Sequence, residues 1–478
     1  MFRTLLTQFL LFAFWAIPAY SQARTPPEQP NIIFILIDDM GVMDLGCYGS
    51  SFHETPEIDQ LAAEGIRFNN AYASHAVCGP SRQAIMTGQT PARLGIVVTT
   101  GKLRETDLTW PMVLQQHGYK NYFTGKWHLG DGASVLRYGF DINVAGAKLG
   151  QPADFYFPYK SHVKRTTFDV PDMEDGKPGD YLPDALTTKA LSFIEENKEG
   201  PFLAYLSYYS VHKPGIPGVW AQGKKEYTDY FEKKIVREPT DDGPRDRHVS
   251  HGPSSSTESL VQAYPEFASQ VKAVDVNVGR IMAKLKELGI DDNTIVIFTS
   301  DQGSVTNSQQ RISSSQPYRL GKSWLFEGGI RVPFIVRWPG KIPAGQVSDL
   351  ITYNTDLFPT LLDLADLPLI PERHVDGVSI KQELFGQPMQ LDRPYYWVYT
   401  SHQMERQAYN CIAYREGDYK LIHWYEHDHT ELFDLSNDIG ENLNLSYTLP
   451  TKRHEMLNTL LSNPLIADVV KNYRRRKD

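Results

Sequence analysis

Cysteine is scarce in this chain: Cys47, Cys78 and Cys411 are the only three among 478 residues. That number excludes the disulfide framework that staples small exported domains. A Cys47–Cys411 bridge stays open on spacing alone, and Cys78 needs an explanation of its own. Long apolar runs are absent too. Beyond the N-terminus nothing approaches the roughly 20 apolar residues that span a bilayer, so no membrane span is expected. Positive charge is also in short supply, with 48 Lys and Arg against 57 Asp and Glu and a formal net charge of −9. No general basic surface is available for nucleic acid. An anionic ligand would have to be held in a local pocket of Arg, Lys and His.

Hydrophobic residues make up 41% and charged residues 22%, enough apolar material for a large soluble core. At the N-terminus, Met1-Phe2-Arg3 supplies one positive charge, residues 9–17 form a short apolar run, and Ser21-Gln22-Ala23 offers small residues for cleavage. This pattern predicts a signal peptide over residues 1–23 and export to the periplasm or the exterior. A buried helix is the plainer alternative, but Pro18 and the polar stretch 24–30 interrupt it at once.

NIIFILI (residues 31–37) is a continuous apolar run rich in β-branched residues, the pattern of a strand buried on both faces. Similar runs occur near 66–70, 201–209, 294–299 and 332–337, with helical patterns between them, notably 57–64 and 266–288. Strands alternating with helices predict an α/β fold with a large, mostly parallel central sheet flanked by helices. Residues 240–259, polar and rich in Gly, Pro and Ser, read as a surface loop. Beyond residue 371 the texture changes to short strands (393–400, 408–415, 419–425) and a helix at 452–462. The expected organisation is a catalytic domain over 24–372 and a smaller C-terminal α+β subdomain over 373–478.

Open α/β sheets bind ligands at the carboxyl ends of their strands. Asp38-Asp39 closes the first strand, and Asp301-Gln302 closes TIVIFTS. Three carboxylates and an amide oxygen form an all-oxygen donor set suited to Ca²⁺ or Mg²⁺ rather than zinc. Taken singly, either pair is better explained as helix-capping or loop acids. Cys78 opens Cys78-Gly79-Pro80-Ser81-Arg82, and Thr87-Gly88 follows. Pro80 suits a first helical turn, which places residue 78 at a helix N-terminus where an anion is favoured, with Arg82 one turn on and able to hold oxyanions bidentately. A lone cysteine there would otherwise be read as a buried thiol.

Cys-x-Pro-Ser-Arg followed by Thr-Gly resembles the signature of the type I, formylglycine-dependent sulfatases of the alkaline phosphatase superfamily. Other segments are similar to that family in the same order: residues 31–39, Gly125-Lys126-Trp127-His128-Leu129-Gly130, Ser300-Asp301-Gln302-Gly303, Lys322 with Glu327-Gly328-Gly329-Ile330-Arg331-Val332-Pro333, and 431–435 with Glu441-Asn442. The resemblance implies an alkaline-phosphatase-like fold and a cysteine, Cys78, oxidised to formylglycine by a formylglycine-generating enzyme. It implies one calcium ion held by Asp38, Asp39, Asp301 and Gln302, although the family more often has asparagine where Gln302 stands. It also implies a sulfate pocket of residue 78, Arg82, Lys126, His128, His212 and Lys322. His212, after the strand near 201–209, is by itself an ordinary polar loop residue, and its role rests on the resemblance.

The implied activity is hydrolysis of sulfate esters, with a sulfated carbohydrate as the expected substrate. Residues 44–49 look most like bacterial arylsulfatases or N-acetylgalactosamine sulfatases, which favours a galactose or galactosamine configuration. Loops 146–164, 214–259 and 304–318 are expected to shape the sugar site; Trp220 and Arg311 in them suit either sugar contact or loop packing. Two rival readings are a phosphonate monoester or phosphodiester hydrolase of the same superfamily, and an exported glycan-binding protein without catalysis. The first differs in the ester it prefers, and the second would have no need of Cys78 within this motif.

Overall fold

The computed structural model describes residues 29–95, 101–161, 168–237, 246–251, 254–306, 312–400 and 410–474. The expected signal peptide and Arg311 lie outside these residues. Among the described residues no helix is long and apolar enough to cross a membrane.

All seven residues of the strand Asn31–Ile37 are buried. Side chains alternate across a strand, so one run supplies two cores. Ile32, Phe34 and Leu36 pack with Trp110, Leu114, Phe358 and Leu361 on one face. On the other, Ile33, Ile35 and Ile37 meet Ile58, Phe193, Phe267, Val274 and Leu285. Burying such a side chain is worth roughly 1.5–3 kcal/mol; the strand's one polar residue, Asn31 at its start, donates its side-chain amide to Thr294 Oγ1 at 3.3 Å. The result is a sheet between two helical layers. Helices Trp110–Gln116 and Leu357–Leu364 cover one face, and Pro56–Ala63, Leu182–Glu196 and Pro265–Glu287 cover the other.

The sheet has eight strands in the order Gln346–Ser348, Ile66–Phe68, Phe334–Arg337, Thr294–Ser300, Asn31–Ile37, Phe202–Ser207, Lys120–Gly125, Ile142–Val144. Phe334–Arg337 runs antiparallel to both its neighbours, and every other pairing is parallel. The α/β expectation is met. Lys120–Gly125 escaped it because its sequence, KNYFTG, is partly polar. Asn121 is nevertheless fully buried, with its amide nitrogen donating to the carbonyls of Pro111 (2.8 Å) and Gly139 (2.7 Å). A buried polar side chain held by such hydrogen bonds breaks the apolar pattern that marks a buried strand.

The reading of residues 240–259 as a loop is corrected. Asp246–His251 and Ser254–Ser259 pair as an antiparallel hairpin. Its strands are polar because backbone pairing and an ion pair of half-buried Arg247 with buried Glu258 hold it in place of an apolar face.

Near the C-terminus, Tyr395–Tyr399, Cys411–Glu416, Tyr419–Trp424 and His429–Asp434 form a four-stranded antiparallel sheet in sequence order. The fourth strand was not expected. One face, including Tyr395, Trp397, Tyr399 and Trp424, packs on Tyr72, Val77, Cys78 and Phe326. The other carries Val398, Ile412 and Leu421 against Met456 and Leu460 of helix Pro450–Ser462 and Ile466 of helix Pro464–Arg474. The small sheet thus backs directly onto the start of the Cys78 helix. Cys47, Cys78 and Cys411 are all free thiols, so the Cys47–Cys411 bridge does not form.

Candidate active site

Strands Thr294–Ser300, Asn31–Ile37, Phe202–Ser207 and Lys120–Gly125 are neighbours and parallel, so their carboxyl ends share one sheet edge. The register pairs Ile37 with Ser300 and Gly125 with Ser207. The residues that follow, Asp38, Asp301 and Lys126, therefore emerge side by side. Gly125 permits this closeness. Its φ is +95°, and a Cβ there would lie 1.9 Å from the Ser207 carbonyl oxygen, which accepts the Lys126 N–H at 2.7 Å. Asp39 and His128 take left-handed conformations themselves, with φ of 65° and 60°. Such backbone is uncommon outside glycine and clusters at functional sites.

The helix Cys78–Thr87 is buried along its whole length and ends at Gly88, whose N–H returns to the Ala84 carbonyl. Cys78 is its first residue, as the motif predicts. Ser81 Oγ donates to the Asp301 carbonyl at 2.5 Å and accepts from Asn354 Nδ2 at 2.8 Å. The Arg82 guanidinium is largely committed within the protein. Its Nε pairs with Asp301 Oδ2 at 2.7 Å, and one terminal nitrogen donates to the Lys126 carbonyl (2.8 Å) and Ser207 Oγ (2.7 Å). The other terminal nitrogen, 3.7 Å from Asp38 Oδ1, makes no hydrogen bond among the described residues. A bidentate clamp on an external oxyanion is therefore not what this arrangement offers. One buried terminal nitrogen, with its two N–H donors, is left for a ligand.

Lys126 Nζ lies 2.5 Å from Asp38 Oδ2. Lys322 Nζ lies 2.5 and 2.8 Å from the two oxygens of Asp39, whose Oδ1 also accepts from the Gln302 side-chain amide. His212 Nε2 stands 3.6 Å from Asp39 Oδ2, and its Nδ1 donates to the Lys213 carbonyl at 3.0 Å. His128 Nδ1 is buried without a hydrogen-bond partner among the described residues. Ligand atoms of Asp38, Cys78 and Asp301 all lie within 4.8 Å of one another, as do those of Asp38, Asp39 and His212. All ten residues anticipated from the sequence thus meet in one buried cluster. Sequence reading passed over Ser207, Ser300 and Asn354. Ser300 Oγ accepts the Met40 N–H at 3.2 Å; a hydroxyl closing an otherwise apolar buried strand, as in Ser207 and Ser300, was the available signal.

Three carboxylates here are matched by Arg82, Lys126 and Lys322, with the two imidazoles kept neutral. Burial, then Lys126, Arg82 and Lys322, pushes His128 down to about 2. Burial, Lys322 and Lys126 likewise hold His212 well below the usual histidine value. Burial raises the Asp301 carboxyl, while Arg82 opposes it. It also raises the Cys78 thiol, against Lys126 and Lys322. Burial works against the Lys322 ammonium, but Asp39, Cys78 and Asp38 together outweigh it and raise its pKa above the usual lysine value. The donor set suits a hard cation. Asp38, Asp39, Asp301 and Gln302 are 0–1% exposed. Asp38 Oδ1 and Gln302 Oε1 are buried acceptors with no hydrogen-bond partner among the described residues, a costly state that a cation would relieve.

Trp220, on the loop that follows His212, is half-buried beneath Lys213, whose Nζ is 4.7 Å from the ring centre.

Residues 30–367 match the sulfatase family profile, and residues 319–467 match a C-terminal profile described for N-sulphoglucosamine sulphohydrolase. The chain is 31% identical to N-acetylgalactosamine-6-sulfatase of Rattus norvegicus, over 89% of this chain and 83% of that one. It is 28% identical to N-acetylglucosamine-6-O-sulfatase of Bacteroides thetaiotaomicron, over 87% and 83% respectively. Among solved structures, Ps i-CgsB in complex with k-i-k-neocarrahexaose superposes with a TM-score of 0.73 at 28% identity, covering 90% of this chain and 92% of that one. With the sheet, the strand-end cluster and these matches together, the chain belongs to the type I sulfatase family of the alkaline phosphatase superfamily and is a sulfuric ester hydrolase.

Proposed function

We propose that this enzyme removes sulfate ester groups from sulfated carbohydrates, with Cys78 converted to formylglycine by a formylglycine-generating enzyme and one calcium ion held by Asp38, Asp39, Asp301 and Gln302. The observation that carries this reading is the convergence of four strand ends, the Cys78 helix and Lys322 on one buried cluster. A hexose ring with a galactose or galactosamine configuration is the proposed bearer of the sulfate. Relatives named for N-acetylgalactosamine 6-sulfate support that choice. Export to the periplasm or the exterior fits a substrate of this kind.

A thiol cannot complete the cycle proposed here. Hydrated formylglycine at position 78 carries two hydroxyls on one carbon. One attacks sulfur in line with the departing sugar oxygen, and the S–O bond to the sugar breaks. The second then loses its proton, the C–O bond to the sulfate breaks, the aldehyde reforms and sulfate leaves. Arg82, Lys126 and Lys322 bring positive charge and N–H donors to the sulfuryl oxygens, the electrostatic contribution that is usually largest. His212 turns an unprotonated Nε2 toward the site because its Nδ1 proton is held by the Lys213 carbonyl; this atom takes up the proton that the attacking hydroxyl releases and delivers it to the sugar oxygen as the S–O bond breaks. Neutral His128 accepts the proton of the second hydroxyl. When bound, the divalent ion supplies Lewis-acid polarisation and lowers the pKa of a coordinated hydroxyl. It would also leave this otherwise balanced cluster with two positive charges, suited to an anionic ester.

The test pairs mass spectrometry of the Cys78 peptide with turnover of one leaving group presented as sulfate ester and as phosphodiester. Aldehyde at residue 78 and preference for the sulfate are expected. An unmodified thiol in fully active protein would refute the nucleophile, and a phosphodiester preference would refute the substrate class.

A further inference from the structure

Lys322 sits on a backbone that is held rather than relaxed. Leu320 and Ser323, on either side of it, have φ of 55° and 73°. Residues with a Cβ adopt that left-handed conformation only where surrounding contacts enforce it. Several of those contacts are backbone bonds from the core: Lys322 N–H to the Ser304 carbonyl (2.9 Å), Ser323 N–H to the Ala76 carbonyl (2.9 Å), and Gly328 N–H to the Arg319 carbonyl (3.0 Å). Gly321 fits only because it lacks a side chain, since a Cβ would lie 2.2 Å from the Ser304 carbonyl oxygen.

The remaining contact comes from outside the catalytic core. Glu258, on the second strand of the polar hairpin, is 1% exposed. Its Oε2 accepts the Leu320 N–H at 2.6 Å. Its Oε1 accepts Nε of Arg247, its cross-strand partner, at 2.8 Å, and a second N–H of the same guanidinium. Arg247 reaches on to Asn442 Oδ1 at 3.0 Å. The hairpin is pinned to the core beside the same segment, with the Ser259 N–H donating to the Thr306 carbonyl at 2.8 Å. A buried carboxylate that receives a guanidinium and a backbone amide together is a strong, geometrically exacting acceptor.

We propose that Glu258 is a positioning residue for Lys322. Through the Leu320 amide it holds the left-handed turn that aims the ammonium at Asp39, and the Arg247 side chain fixes Glu258 in turn. The proposal rests on the sulfatase reading for the role of Lys322. It adds that a surface hairpin, through one carboxylate, sets the geometry of the pocket.

The mature, formylglycine-bearing enzyme would be compared with E258Q, K322A and the double variant, by steady-state hydrolysis of an aryl sulfate and by hydrogen exchange of the 319–323 amides. E258Q is expected to lower kcat/KM about 10- to 100-fold through kcat, to speed exchange at Leu320, and to cost nothing further in the K322A background. An E258Q loss of equal size in both backgrounds would overturn the proposal, since Glu258 would then act independently of Lys322. Unchanged exchange at Leu320 would overturn it whatever the activity. Full turnover by K322A would remove Lys322 from the sulfatase reading, while the exchange result still decides whether Glu258 holds the turn.

Discussion

Lys420 is fully buried between two fully buried carboxylates, 2.9 Å from Glu327 Oε1 and 2.8 Å from Glu441 Oε1. It projects from the C-terminal sheet, whereas Glu327 belongs to the main body and also pairs with Arg331 and with the Tyr72 hydroxyl at 2.6 Å. Glu441 additionally accepts the Glu327 N–H at 2.7 Å. Replacing Lys420 with Met keeps the volume but removes the shared cation. Breaking a buried pair from one side costs about 3–5 kcal/mol, because a charge is left uncompensated. Glu327 retains Arg331, so the burden falls on Glu441. Burial and the neighbouring Glu327 already raise the Glu441 carboxyl, while Lys420 opposes them. A carboxyl raised in the folded state binds protons more readily than in the unfolded chain, so its stability contribution falls as pH rises from about 4.3 through the folded value. The deficit of K420M should therefore be about 3–5 kcal/mol at pH 8 and shrink toward pH 5. K420M/E441Q should recover part of it at pH 8. Denaturant unfolding followed by tryptophan fluorescence at several pH values measures all three quantities. A loss below about 1 kcal/mol at pH 8, or a deficit that widens as pH falls, would show that the pair is not an uncompensated buried charge when broken.

Two further outcomes follow from the site. Chelation with EGTA should abolish turnover and lower the thermal midpoint, both restored by added calcium; at 100-fold excess over Kd a bound ion stabilises by about 2.7 kcal/mol, and an unmoved midpoint would argue against resident calcium. G125A places a Cβ 1.9 Å from the Ser207 carbonyl at a φ of +95° and should destabilise the fold by at least about 2 kcal/mol. The same change should lower kcat by displacing Lys126, so wild-type kcat and stability together would contradict the close approach.

Much of the architecture was legible because it is locally encoded. Asn31–Ile37 reads as a strand with two buried faces, since six apolar, largely β-branched residues follow Asn31 in a row. The Cys78 motif contains its own helix start and its Gly88 stop. The acids after the first strand and after TIVIFTS stand at strand ends, where open α/β sheets bind their ligands. Less legible were elements whose stability comes from distant partners. Lys120–Gly125 hides its core position because it carries Asn121, whose side-chain nitrogen donates to carbonyls elsewhere in the chain. The hairpin from Asp246 to Ser259 has no apolar face to reveal it, only a carboxylate whose partners include an amide 62 residues away.

The sequence by itself determined the family, the residue types of the site and the strands that carry most of them, because each of these resides in a few adjacent residues. Tertiary structure alone decided that four strands lie adjacent in an order unrelated to their order in the chain, which is what brings Asp38, Lys126 and Asp301 together. It also decided how Arg82 is spent, on Asp301, Ser207 and the Lys126 carbonyl, with one terminal nitrogen left over. Periodicity is read within a turn or a strand. The direction in which a charged group points is fixed by partners hundreds of residues away, and those partners are known only once the sheet has closed.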